Sequence, residues 1–443
     1  MLVSYTFTGE TASEIAAGIE AAVARGALPA GAALPTVREL AARTGVNANT
    51  AAAAYRLLRE RGVVETAGRR GTRVRPRPAS TAREDIRIHV PPGARDLARG
   101  NPDPALLPDL TAALAEAARL HAASPALYGT ADDPGLLALA AAAFSADGIA
   151  GVGGPAVTSG TLDAVERVLT MHLRPGDAVA VEDPGWSASL DLVAALGLRT
   201  IPVPVDDEGP DPGAMAGALS AGARAVIVTA RAQNPTGAAV SAGRAAALRA
   251  LLAAHPRTLL IEDDHAAGLA DLPLHTLTGT TARWILTRST AKSHGPDLRL
   301  AVVVGDTQTV ERLRGRQRLA EGWVSHLLQR TVAHLWRTGA VPRAEVAASY
   351  AARRNALIEA LAGHGVRAHG RSGLNVWIPV PDETVAVTRL LARGWAVAPG
   401  ARNRLASAPA IRVTIAPLAR EEIPDLAATL AAAVLPGSTG RYG

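Results

Sequence analysis

From about residue 150 onward, short apolar runs alternate with Ala- and Leu-rich stretches of helical period, and that alternation admits few folds. The runs are 178–181, 225–228, 259–261, 284–286 and 300–304. They predict βα units and an α/β fold with a mostly parallel central sheet, in which ligand-binding residues gather at strand ends. Polar side chains do fall there. Glu182-Asp183-Pro184-Gly185-Trp186 follows the first run, and the stretch after the second ends in Asn234-Pro235-Thr236-Gly237. Glu262-Asp263-Asp264-His265 follows the third run and Ser289-Thr290-Ala291-Lys292 the fourth. An aromatic face, an amide, a carboxylate and an amine are thereby brought to one edge of a sheet.

The amine is singular. Among 46 Lys and Arg residues, Lys292 is the one lysine. A bias this strong replaces Lys by Arg wherever charge alone is needed, so Lys292 marks a place where charge is not enough. Arginine stays protonated, whereas an ε-amine can lose its proton and attack a carbonyl, which is Schiff-base chemistry. The alternative is a position that merely escaped the bias.

Pyridoxal 5'-phosphate (PLP) requires this set of groups. Its aldehyde needs a lysine, its ring nitrogen an acidic partner, its ring a flat neighbour and its phosphate a helix N-terminus with hydroxyl and basic donors. Val157-Thr158-Ser159-Gly160-Thr161 precedes an amphipathic helix carrying Leu162, Val165, Val168 and Leu169, which suits a phosphate. Taken singly, Trp186 also suits an ordinary core, Arg412 a surface ion pair and the Asn-Pro-Thr-Gly stretch a turn.

The lysine run with Pro296 and Arg299 at fixed offsets, the Asn-Pro-Thr-Gly stretch and the acidic strand end together resemble the fold-type-I, class I/II aminotransferases over about residues 96–435. The resemblance implies a PLP domain with a small C-terminal α+β subdomain at about 311–435. It implies that Lys292 forms the Schiff base, Asp263 pairs with the ring nitrogen, Asn234 touches the ring hydroxyl and Trp186 stacks. Ser159, Gly160, Thr161, Ser289 and Arg299 would hold the phosphate, Tyr128 would reach the partner subunit's phosphate in a homodimer, and Arg412 would grip a substrate carboxylate. One departure is plain: His265 stands where the family has a tyrosine donating to the ring hydroxyl. Histidine is shorter and titrates on its own account, so PLP binding should survive while catalytic poise changes.

The N-terminal segment has a different character. Residues 1–77 contain 11 Arg and 6 Glu with neither Asp nor Lys, a net +5, while the other 366 residues carry only +1. A basic imbalance confined to one segment is the electrostatic footprint of a nucleic-acid-binding module. Thr11-Ala12-Ser13-Glu14 and Thr36-Val37-Arg38-Glu39 have capping-box spacing, and Asn47 can cap a third helix. Ile15, Ile19, Ala22 and Val23, then Val37, Leu40 and Ala41, then Ala51, Ala54, Tyr55 and Leu58 form successive apolar stripes, with Gly26, Gly45 and Gly62 as stops. This predicts a helix-turn-helix presenting Asn47, Asn49 and Thr50 to a major groove, and then two strands around a turn with Arg69 and Arg70, which is a wing. Residues 78–95, rich in Pro, Arg and small side chains, predict a linker.

The stretch from Leu34 to Val74 resembles the winged helix of GntR-type regulators. That implies DNA contacts by Arg38, Asn49, Thr50 and Gly71. The family usually has an arginine just after the position of Asn47, and Ala48 here would shift the operator sequence while leaving backbone binding. A three-helix protein-interaction module is the alternative, and it leaves the charge of the wing unexplained.

Winged helix, linker and aminotransferase-like domain in that order resemble the MocR regulators. The resemblance implies a homodimeric DNA-binding transcription regulator that senses PLP or an amino compound through PLP. A working aminotransferase with an appended DNA-binding module, and a regulator whose C-terminal half is a PLP-free scaffold, are the other readings. The chain has no cysteine, which excludes disulfides and thiolate metal sites, and it lacks Walker A, HExxH and GxSxG motifs. The start MLVSYTFTGE lacks the basic and apolar runs of a signal peptide, so a cytoplasmic protein is expected.

Overall fold

The computed structural model describes residues 5–24, 27–29, 31–60, 63–66, 71–74, 83, 88–149 and 154–434. Three helices, α1 (Ala12–Ala24), α2 (Val37–Thr44) and α3 (Ala48–Glu60), precede the antiparallel pair β1 (Val64–Thr66) and β2 (Thr72–Val74). The caps form as their spacing requires. Thr36 Oγ1 accepts the Glu39 N–H at 3.3 Å while the Glu39 carboxylate accepts the Thr36 N–H at 2.8 Å. Gly45 then ends α2 in the left-handed region at φ 73°, and Asn47 Oδ1 accepts the Thr50 N–H at 2.8 Å to start α3. Ile15, Ile19, Leu40, Ala51, Ala54, Tyr55 and Leu58 meet in one core with Val64 and Val74 of the strands. The Tyr55 hydroxyl donates to the Pro35 carbonyl at 2.6 Å, fixing α3 against the entry to α2. Gly26, Gly62, Arg69 and Arg70 lie outside the described residues.

The rest of the chain runs β3 (Arg95–Asp96), α4 (Thr111–Ala123), α5 (Pro134–Ala146), β4 (Ala156–Thr158), α6 (Thr161–His172), β5 (Ala178–Asp183), α7 (Ser187–Ala195), β6 (Arg199–Asp206) and β7 (Gly209–Pro210). It continues through α8 (Pro212–Ser220), β8 (Ala223–Thr229), α9 (Ala242–Ala253), β9 (Leu259–Asp263), β10 (Arg283–Ser289), β11 (Ala301–Gly305), α10 (Thr307–Arg318), α11 (His326–Arg337) and α12 (Arg343–Gly363). The last elements are β12 (Asn375–Pro379), α13 (Glu383–Ala392), β13 (Trp395–Ala396), β14 (Ala398–Pro399), β15 (Ala410–Thr414) and α14 (Ile423–Val434).

Eight strands form the main sheet in the order β4-β11-β10-β9-β8-β5-β6-β7, with β10, β9, β8, β5 and β6 parallel. Successive side chains of its strands enter different cores. Val179, Val181, Ala225, Ile227 and Leu259 pack with α6, α7 and α10, whereas Ala180, Val226, Val228 and Leu260 pack with α5, α8, α9 and α11. Period-two alternation in strands apolar on both faces is what a sheet covered on both sides demands.

Two features differ from the βα rhythm of the sequence. The run 300–304 forms β11, antiparallel to both β10 and β4, because the lysine-bearing connection from β10 contains no crossover helix that could return the chain parallel. Strand β6 was hidden by Pro202 and Pro204. It pairs with β5 from Arg199 to Pro204, but β7 covers only Val205 and Asp206, so both prolines sit where an edge strand tolerates a missing donor.

A third core spans Val341 to Val434 and includes the sheet β12-β15-β14 with α12, α13 and α14. Leu97 joins it because β3 lies parallel to β13, with Arg95 opposite Trp395. Among the described residues no helix is long and apolar enough to cross a membrane.

Candidate cofactor and effector pocket

The C-terminal ends of β5, β8, β9 and β10 and the N-terminus of α6 open on one cavity of about 410 Å³. Lys292, Asp263, Asn234, Trp186, Gly160, Thr161, Ser289, Arg299, His265 and Arg412 all line it. Two residues expected with them do not. Ser159 lies just outside the lining, its N–H donating to Asp163 at 2.9 Å and its carbonyl accepting from Arg299 at 3.3 Å. Tyr128 is 95% exposed and meets Trp323 edge to face at 5.6 Å.

The lysine amine donates to the carbonyl of Gly100. At Gly100 a Cβ would stand 3.6 Å from the Arg412 guanidinium, so this stretch of backbone runs closely past that side chain. Arg412, only 6% exposed, donates to Asn234 Oδ1 at 3.0 Å and to the Ala98 carbonyl at 2.6 Å. It is therefore a pocket residue and not a surface ion pair. Trp186 is half-buried on the cavity wall, and the Asn234 amide faces the same space.

Asp263 ends β9 and is 5% exposed. Its Oδ2 lies 3.3 Å from Nδ1 of His265, while Oδ1 is buried with no hydrogen-bond partner among the described residues. At the α6 end, Gly160 is the N-cap at φ 100°, supplies no side-chain cap, and leaves a space whose Cβ would lie 3.4 Å from Arg299 Nη2. The Thr161 hydroxyl is buried there without a partner among the described residues. An uncapped helix N-terminus, an arginine and an orphaned hydroxyl form a site for an anion, and an orphaned buried carboxylate oxygen asks for a donor. One group with a phosphate and a ring N–H meets both demands, so the residues present fit PLP.

Sequence reasoning passed over the support beneath the cavity. The buried Glu182 carboxylate accepts the Thr229 N–H and hydroxyl, each at 2.8 Å, and the Gln233 amide at 3.1 Å. Burial pushes its pKa up to about 7, and the nearby Asp263 charge acts in the same direction. Gln233 donates also to the Pro184 carbonyl at 2.7 Å, which ties the ends of β5 and β8 to the Asn234 turn. Asp183 accepts the N–H groups of Leu405, Ala406 and Ser407, all at 2.8 Å, and so fixes the loop after β14 against the end of β5. Two adjacent acids closing an apolar run were the available signal.

In the head, Arg38, Asn47 and Asn49 are exposed, Thr50 is half-buried, and Gly71 is exposed at φ 74°. Asn47 Oδ1 is engaged by Thr50 through its N–H and, at 3.1 Å, its hydroxyl, so the Asn47 amide group is left facing outward as donor. Ala48 is exposed at the first position of α3.

Residues 95–430 match the family described as aminotransferase class I and II, and residues 11–74 match the bacterial regulatory proteins of the gntR family. The chain is 42% identical to the vitamin B6 salvage pathway transcriptional repressor PtsJ of Salmonella typhimurium, over 95% of this chain and 98% of that protein. It is 34% identical to the HTH-type pyridoxine biosynthesis transcriptional regulator PdxR of Corynebacterium glutamicum, over 55% of this chain and 53% of that one. A kynurenine aminotransferase structure from Pyrococcus horikoshii superposes with a TM-score of 0.71 at 22% identity, covering 77% of this chain and 90% of that one. That last likeness speaks to the fold.

Proposed function

The chain belongs to the class I and II aminotransferase family, in its gntR-headed MocR branch of PLP-sensing transcription regulators, and we propose that its signal is PLP itself and that it governs genes of vitamin B6 supply. The observation that carries the reading is Asp263, which lines the same cavity as the only lysine and whose Oδ1 is buried with no partner among the described residues, in a chain that also carries a gntR-family region. The likeness to the Salmonella repressor supports repression as the direction of control.

PLP would supply an aldehyde and an electron-withdrawing ring. Lys292 would hold the aldehyde carbon once its amine, now donating to the Gly100 carbonyl, has lost its proton. Asp263 would accept the ring N–H through Oδ1 and keep that proton in place. Trp186 would cover one ring face and Asn234 would bond the ring hydroxyl. Gly160, Thr161, Ser289 and Arg299 would bind the phosphate, with Ser159 supporting Arg299 from below. His265, whose Nδ1 faces Asp263, would have Nε2 left to donate. Arg412 would take the carboxylate of an amino compound. Arg38, Asn47, Asn49, Thr50, Gly71 and the wing residues Arg69 and Arg70 would contact double-stranded operator DNA. The assignment comprises a head at 1–77, a linker at 78–95 and a PLP domain at 96–435, in a cytoplasmic homodimer whose partner subunit receives Tyr128.

A working aminotransferase with an appended head is the second reading, and the retention of both Lys292 and Arg412 in the cavity favours it. Adding PLP to the purified protein and following its visible absorbance beside operator binding separates the two. A regulator shows a change in DNA affinity on PLP binding; an enzyme shows multiple turnovers with amino donors and none.

A further inference from the structure

The two matched regions end at residue 74 and begin at residue 95, so the segment between them belongs to neither. Yet two of its side chains, Ile88 and Val90, line the cavity that holds Lys292 and Asp263. The one described residue farther upstream in that segment, Arg83, is held tightly to the same body. Its N–H donates to Asp191 Oδ2 at 2.5 Å and its Nε to Asp191 Oδ1 at 3.0 Å. Its Nη1 donates to the Arg404 carbonyl at 3.1 Å, and its own carbonyl accepts from Arg402 Nε at 3.1 Å.

Both anchors of Arg83 are bound up with the cavity. Asp191 is on α7, which begins immediately after Trp186, and Arg402 itself lines the cavity. The loop carrying Arg402 and Arg404 is fixed in turn. Asn403 exchanges two hydrogen bonds with Gly185, at 2.7 and 3.0 Å, and Asp183 captures the three amides that follow Arg404. All four Arg83 bonds involve a guanidinium donor or a carboxylate acceptor, the kind whose loss is felt.

We propose that the described end of the connecting segment is itself part of the binding site: Ile88 and Val90 wall the ligand, and the Arg83–Asp191–Arg402 clamp passes the occupancy of the pocket to the DNA-binding head. The inference rests on the PLP-sensing reading for its biological meaning, but the wall and the clamp can be tested without it. A ligand that seats against Trp186 and Arg402 meets the residues that position Arg83, so filling the pocket bears on how the segment is held. A coupling of this kind needs no change in the head's own fold, only a difference in how tightly its tether is held.

The test uses the full-length protein with PLP as probe, hydrogen exchange of the backbone amides at 88–90, and binding to an operator selected from a random-sequence pool. PLP is expected to slow exchange at 88–90 several-fold in the wild type. Arg83→Ala and Asp191→Asn, which lie outside the cavity lining, are expected to keep PLP affinity within about threefold while the ratio of operator Kd without and with PLP falls to within twofold of one. Unchanged exchange at 88–90 on saturation with PLP would overturn the wall, and a full wild-type ratio in both variants would overturn the clamp. Slower exchange at 88–90 in a wild type whose operator affinity ignores PLP would support the wall while sinking the PLP-sensing reading. The two failures are thereby told apart.

Discussion

Asp263 holds one carboxylate oxygen 3.3 Å from the Nδ1 of His265 and leaves the other buried with nothing to accept from among the described residues. A buried carboxylate oxygen without a donor is costly, so the arrangement is stable in the form that supplies one. Asp263→Asn is expected to weaken PLP binding by roughly 10- to 100-fold, the loss of a hydrogen bond between charged groups. Titration of the visible absorbance measures it, and unchanged affinity would remove Asp263 from the site.

His265→Tyr restores the residue that the family carries at this position. A phenol donating to the ring oxygen stabilises that oxygen's charged form, so the pH midpoint of the visible band of bound PLP is expected to fall by about one unit. The check is a spectrophotometric pH titration of both proteins. Coincident midpoints would show that histidine already fills the tyrosine's role.

Glu262 is buried beside Thr276 and Leu277, and burial pushes its pKa up to about 7 from 4.5. The sign follows. The folded protein holds this proton more tightly than the unfolded chain, so folding loses stability as pH rises from about 4.5 to about 7, approaching roughly 3 kcal/mol and staying level above. Glu262→Gln removes the titration, and Gln can still accept from Leu277 and bond Thr276. Its melting temperature is therefore expected to gain on the wild type with rising pH across that window. Parallel curves for the two proteins would contradict the shift.

Arg38→Ala and Asn49→Ala remove exposed side chains of the head. They are expected to weaken operator binding by about 1–3 kcal/mol if they touch bases, and by less with a shallower salt slope if they touch phosphate, with the PLP spectrum untouched. Loss of PLP in either variant would place them in the wrong unit.

Much of this was legible in the sequence because local rules sufficed. Thr36, Glu39, Gly45 and Asn47 fix the helix ends of the head through bonds between near neighbours in the chain, and the polar residues just after the apolar runs 259–261 and 284–286 point to the sheet edge where the cavity opens. What stayed hidden depends on distant pairing. The antiparallel direction of β11, the strand β6 through its prolines, the pairing of Arg95 with Trp395, the place of Leu97 in the C-terminal core, and Glu182 under the site are each decided by partners tens to hundreds of residues away. Tyr128 shows a different limit: its exposed ring stands outside the cavity of its own chain.

The most direct test of the account is operator affinity measured with and without saturating PLP, beside a steady-state assay with a panel of amino donors and keto-acid acceptors. A coupling of about 1–3 kcal/mol, a roughly 5- to 150-fold change in Kd, is expected, with turnover absent or confined to one slow half-reaction. Rapid multiple turnover with an operator affinity that neither PLP nor any donor alters would contradict the account and make the protein an enzyme that happens to carry a head.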